Sequence, residues 1–152
     1  MPRRLIPHAV TIAVLAAPAA AQMALDPTCK RDEASPQSCI HVIACIGGSD
    51  LFVGGSVGWD TGTLYGDLSN GATCTGDWNN AEARADFTCT DGQSGTVFYT
   101  LRDGPTGTAI GQGVTIAGRP IEAWSGENVS AYIRRETGEV TLTCGVTEIP
   151  MS

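Results

Sequence analysis

The stretch from Trp59 to Trp78, WDTGTLYGDLSNGATCTGDW, constrains this chain more than any other. It reads as two short strands closed at Asn70-Gly71, a dipeptide that accepts the positive φ a tight hairpin turn demands at both central positions. Gly107 to Trp124 repeats the plan loosely, with Gly-Thr at its start, a glycine four residues on, another midway and Trp at its end.

The segments around these hairpins follow the same grammar. Cys39 to Ile46 is apolar and β-branched, a buried strand ended by Gly47-Gly48. Leu51-Phe52-Val53 makes a second short strand broken by Gly54-Gly55. Ala85, Phe87 and Cys89 alternate with polar neighbours, the pattern of a half-buried strand. Asp91-Gly92 turns into Gly95 to Leu101, and Asp103-Gly104-Pro105 turns again. Val129 to Arg135 and Glu139 to Val146 read as a final pair joined at Thr137-Gly138, with a short helix over Gly126 to Glu136 as the alternative. Strands this short, with glycine-bearing turns every eight to twelve residues, predict an all-β fold. It is an antiparallel meander of short Gly-rich hairpins, closed as a small barrel or a sandwich, and disulfide-stapled. The 19 glycines serve turns and strand bends.

The first 21 residues have another character. Arg3-Arg4, the apolar run Ala9 to Ala17 and the small residues Ala19-Ala20-Ala21 have the order of a secretory signal peptide. Without residues 1–21 the chain has 131 of its 152 residues, enough for one domain. Residues 22–38, with Pro27, Pro36 and Lys30-Arg31-Asp32-Glu33, read as an irregular N-terminal arm, and residues 39–152 as a single β-domain. Losing Arg3 and Arg4 takes the formal charge from −7 to −9, which argues against nucleic acid and anionic membrane surfaces. No later stretch has the apolar length of a membrane span.

The six cysteines, Cys29, Cys39, Cys45, Cys74, Cys89 and Cys144, all follow the leader, and an even count in a small exported chain points to disulfides. Cys74 and Cys89 flank one loop and form the favoured pair. Cys29 and Cys39 hold down the arm, and Cys144 ties back to Cys39 or Cys45.

Several motifs touch on chemistry without completing a site. Gly54-Gly55-Ser56-Val57-Gly58 matches the nucleophile-elbow pattern, but that elbow needs a following helix and a downstream histidine, and His41 lies upstream. Asp60-Thr61-Gly62 is the tripeptide of aspartic proteases without its second copy. The acidic turns at Asp60, Asp77, Asp91 and Asp103 lack the spacing of a calcium loop. Cys39, His41 and Cys45 have the residue types of a zinc site, but disulfides have the stronger claim on the sulfurs. No metal or cofactor is expected. Trp59, Trp78 and Trp124 recur at equivalent hairpin ends; exposed at one rim, they would form a platform with Asp60, and buried they fill the core.

Three blocks carry a resemblance: Cys39 to Cys45 (CIHVIAC), Gly58 to Thr63 (GWDTGT) and Ala123 to Val129 (AWSGENV). They resemble blocks of small exported proteins of α-proteobacteria, which implies a periplasmic or secreted β-domain and no particular activity.

The reading that follows is an exported, non-enzymatic envelope protein that binds a macromolecule or glycan, or serves as a structural module. Its candidate binding residues are Trp59, Asp60, Trp78 and Trp124; its partner is a protein or glycan. The alternatives are a small periplasmic hydrolase using Asp60 and Asp77, with His41 assisting, and an exported enzyme inhibitor.

Overall fold

The computed structural model describes residues 22–151; residues 1–21, where a signal peptide is expected, and Ser152 lie outside the described residues. Eight strands follow one another: β1 (Cys39–Ile46), β2 (Asp50–Gly58), β3 (Thr61–Leu68), β4 (Thr73–Asn79), β5 (Arg84–Cys89), β6 (Ser94–Asp103), β7 (Thr108–Thr115) and β8 (Pro120–Gly126). Each pairs antiparallel with the next, and β8 returns to β1 through Ile121↔Ile46 to Gly126↔His41. Of the two architectures expected, the meander is a closed barrel. The Trp59 to Trp78 stretch supplies β3 and β4, and Gly107 to Trp124 supplies β7 and β8.

Closure sorts the side chains by the period-2 rule. Val42, Ala44, Phe52, Leu64, Leu68, Cys74, Ala85, Val97 and Ile121 point inward and form one core. Thr61, Thr63, Asp67, Thr73, Thr75 and Asp77 occupy the outward positions of β3 and β4 and are exposed. β3 and β4 are thus apolar on the barrel side and mostly polar outside, whereas the outward faces of β1, β2 and β8 carry Ile43, Leu51, Val53 and Trp124. No described helix is long and apolar enough to cross a membrane.

Interior glycines and aromatic rings are matched across strands. A Cβ on Gly62 would meet the Trp78 indole, on Gly66 the Phe52 ring, on Gly95 the Phe87 ring and on Gly111 the Tyr99 ring. The absent side chains make room for four large rings in a narrow barrel, a packing that also lets the strands coil tightly. Gly54-Gly55 therefore does not end a strand as expected. β2 runs through it, because Gly54 lies against the backbone of Tyr65 and Gly66, where a side chain would not fit.

The C-terminal segment corrects a second expectation. Residues Val129–Thr137 form helix α1, not a strand, and β9 (Thr141–Cys144) pairs instead with β10 (Thr147–Pro150). Val129, Tyr132 and Ile133, spaced i, i+3, i+4, place one helix face on a second core outside the barrel with Ile43, Leu51, Val53, Trp124, Ile149 and Met151. Gly138, at φ 72°, ends the helix in the left-handed conformation and donates its N–H to the Arg134 carbonyl.

All six cysteines are paired. Cys74–Cys89 joins directly opposed inward positions of β4 and β5, Cys45–Cys144 ties β1 to the terminal hairpin, and Cys29–Cys39 fastens the arm to the start of β1. Residues 22–38 contain no strand beyond an isolated bridge, Gln22 to Glu148.

Candidate functional site: the open end of the barrel

The two ends of the barrel differ. One is shut by Ile46, Leu68, Ala72, Ile121 and the Cys74–Cys89 bridge, all buried. Arg119 crosses that end, donating from Nη1 to Asp50 Oδ2 at 2.8 Å and from Nη2 to the Ile46 carbonyl at 3.0 Å and Ser49 Oγ at 2.9 Å. Burial works to raise the Asp50 carboxyl, but hydrogen bonds from Arg119 and Gln93 hold it below the ordinary carboxylate range.

At the other end the interior remains hollow. A cavity of about 520 Å³ is lined from within by Ile40, Val42, Ser56, Leu64, Trp78, Ala85, Tyr99, Ala109 and Ser125. That volume falls in the range of small-molecule pockets, roughly 300–1,000 Å³. An eight-stranded barrel is just wide enough either to be filled by its own side chains or to hold one small ligand. Small inward residues at 85, 109 and 125 leave the space at this end unfilled by the barrel's own side chains.

Among the inward residues, the hydroxyls of Ser56, Tyr99 and Ser125 and the Trp78 indole N–H are the polar groups. The Tyr99 phenol is pushed up to about 12 by burial, against the pull of a hydrogen bond with Ser125, so it stays a neutral hydroxyl at physiological pH. The Trp78 Nε1 is buried and finds no acceptor among the described protein atoms. A buried donor without a partner costs about 1–3 kcal/mol, and native structures rarely carry one without a reason.

The mouth is built partly by the arm. Trp59 Nε1 donates to the Ser35 carbonyl at 3.0 Å, the Gly58 N–H to the Ser38 carbonyl at 3.1 Å, and the Arg31 guanidinium stands 5.4 Å from the Trp59 ring centroid. Arg31, Arg84 and Arg102 all line the opening, together with Asp60. Arg84 is already committed: its Nε lies 2.7 Å from Asp86 Oδ2.

The candidate residues divide on this geometry. Trp59, Asp60 and Trp78 line one cavity. Trp124 does not join them: it pairs with Ile43 on the outward face of β8 and is buried beside Val129 and Ile133. The three tryptophans therefore form no common rim platform. Asp60 and Asp77 are also separated, since Asp77 faces outward opposite Thr63 and Asp86, in a shallow groove outside the barrel.

His41 lies elsewhere again, on the outward face of β1, with Nε2 2.8 Å from the Asp26 carbonyl. Ser56 points inward while His41, paired with Gly55, points outward, so a serine–histidine couple cannot form across the sheet. Cys39 and Cys45 are both oxidised, which removes the thiolates a zinc site with His41 would need.

Tyr99, Ser125 and Arg102 line the cavity as well, and no local sequence motif marks them. The first two could have been found by carrying the alternation of β6 and β8 around a closed sheet; the third could not, because a bulge sets its direction.

No protein family matches the sequence, and no curated protein matches it. Two solved structures are similar to part of the chain. One is a de novo designed fluorescence-activating β-barrel, at 13% identity and a TM-score of 0.46 over 59% of this chain and 90% of that one. The other is a redesigned β-barrel bound to DFHBI, at 16% identity and a TM-score of 0.42 over 58% of this chain and 91% of that one.

Proposed function

We propose that this chain is an exported, non-enzymatic binding protein that takes a small, largely apolar molecule into the open end of its barrel. The observation that carries the reading is the cavity of about 520 Å³ between Val42, Leu64, Trp78 and Ala85, in a barrel whose other end is packed solid. Export is supported by the signal-like leader and by three disulfides, which persist in oxidising compartments such as the periplasm or the extracellular medium. A glycan or protein partner on a tryptophan rim has less in its favour, since Trp124 is turned to the other side of the sheet.

The test is titration of the oxidised protein with N-phenyl-1-naphthylamine, a neutral fluorophore that brightens in apolar surroundings. Saturable uptake at one site per chain is expected, and Ala109→Phe, which fills the cavity from β7, should abolish it. Wild-type protein that shows no saturable uptake sinks the reading.

A further inference from the structure

We infer that the molecule bound in the barrel is an amphipathic organic anion, with its apolar body among Val42, Leu64 and Trp78 and its anionic group at Arg102. The inference rests on the cavity reading above and adds the chemistry of the head group.

Backbone geometry brings Arg102 to the mouth. Along β6 the inward positions run Gly95, Val97, Tyr99, and strict alternation would next bring Leu101 inside. A register shift between Tyr99 and Leu101 breaks the alternation. Beyond it Arg102 pairs with Ala109, which is itself opposite the inward Ser125. The bulge thus gives Arg102 the inward register at the cavity mouth and leaves Leu101, which lines the outer rim, two-thirds exposed, at 67%. Re-aiming one side chain beside a functional site is a recurrent use of bulges. Exposing a leucine to gain this has no benefit for packing.

Charge at the mouth runs against the charge of the chain. Seven of the chain's basic residues follow the leader, against sixteen acidic ones, yet three of the seven line this single opening and Asp60 is the only carboxylate among the lining residues. Arg84 is paired with Asp86, and Arg31 is stacked on Trp59 with Glu33 at 3.7 Å. Arg102 makes no ion pair among the described residues. An uncommitted guanidinium above an apolar pocket, in a protein of net negative charge, fits a carboxylate, sulfate or phosphate head by charge-assisted hydrogen bonds.

Matched ligands test this, because an apolar hole alone favours an alcohol over the corresponding carboxylate, whose desolvation is costly. Decanoate and 1-decanol, each kept below its solubility or micelle limit, are competed against N-phenyl-1-naphthylamine at low and high salt. Decanoate is expected to bind roughly tenfold tighter than decanol at low salt. The advantage should shrink at high salt, since a pair at the mouth is screened. It should also vanish in Arg102→Gln with decanol binding unchanged, while Arg134→Gln, the same charge change on helix α1 and outside the opening, preserves it.

If decanol matches or exceeds decanoate on the wild-type protein, or if the two variants lose the preference equally, the anion assignment is wrong and the cavity reading survives. If neither ligand nor the fluorophore binds, both fall. The wild-type comparison needs no variant, so a misfolded mutant cannot rescue the proposal.

Discussion

The indole nitrogen of Trp78 stands over Gly62, its direct cross-strand partner, so closely that a Cβ on residue 62 would lie 2.8 Å from it. The same Cβ would also run into the Val57 carbonyl, which as backbone cannot swing aside. Gly62→Ala is therefore expected to destabilise the protein by about 1–3 kcal/mol, the usual penalty of overpacking, and to shift the emission of Trp78. Gly104→Ala, with nothing within 4 Å, should stay within about 0.5 kcal/mol of wild type. Urea unfolding of both variants checks this; equal midpoints would mean that the glycine–ring pairing contributes nothing.

The hairpins were legible because their signals are local: Asn70-Gly71 and Asp91-Gly92 both close turns with glycine at positive φ. The alternation of Ala85, Phe87 and Cys89 was legible for the same reason. Closure was not, because it depends on β8 finding β1, a pairing between residues some eighty positions apart. Trp78 and Trp124 sit at similar ends of similar hairpins, yet one pairs with inward Gly62 and the other with outward Ile43. A one-residue difference in phase decides the face. The helix over 129–137 was obscured by composition, since Val129, Tyr132 and Ile133 favour strands individually and only their packing on Trp124 and Ile149 makes the helical spacing worthwhile. The cavity depends on which glycines and alanines point inward, so it becomes readable only once the barrel is closed.

The disulfides should rank by the length of chain they close. Cys45–Cys144 spans a sequence separation of 99, and Cys29–Cys39 one of 10. On the chain-entropy account the first is worth about 4.7 kcal/mol and the second under about 3 kcal/mol. Paired alanine substitutions, compared by guanidinium unfolding under oxidising conditions, are expected to show the larger loss for Cys45/Cys144. A larger loss for Cys29/Cys39 would mean that the arm, not the terminal hairpin, governs stability.

Helix α1 is pinned to the β6–β7 turn by Asp103, which accepts from Arg135 Nη2 at 2.9 Å and Nη1 at 3.2 Å and from the Thr106 N–H at 3.0 Å. The Arg135 hydrogen bonds, then those of Thr106, hold its carboxyl down to about 2, against an ordinary value of 3.8. With the folded-state value depressed, the contribution is present above about pH 4 and is lost as pH falls toward 2. Asp103→Asn should therefore lower stability at neutral pH and flatten its decline over that acid window. Far-UV circular dichroism followed through acid, with urea midpoints at each pH, checks both; an unaltered slope would remove Asp103 from the account.

Tyr99 makes the opposite prediction at the other end of the scale. Burial raises its phenol to about 12 from an ordinary 10.0, while Ser125 pulls it back only partly. The unfolded chain then releases this proton first, so the stability present below about pH 10 is lost as pH rises toward 12. Tyr132 is also raised, by burial and then by Glu136 and Asp103, so a late-ionising phenol in the wild-type spectrum is not by itself diagnostic. The difference between wild type and Tyr99→Phe is. The variant should lose one late-ionising phenol in an ultraviolet titration and show a shallower alkaline decline in its urea midpoint. Because Tyr99 lines the cavity, N-phenyl-1-naphthylamine should raise that phenol further by sealing it from water. A titration of Tyr99 unmoved by bound fluorophore would place the fluorophore somewhere other than the barrel.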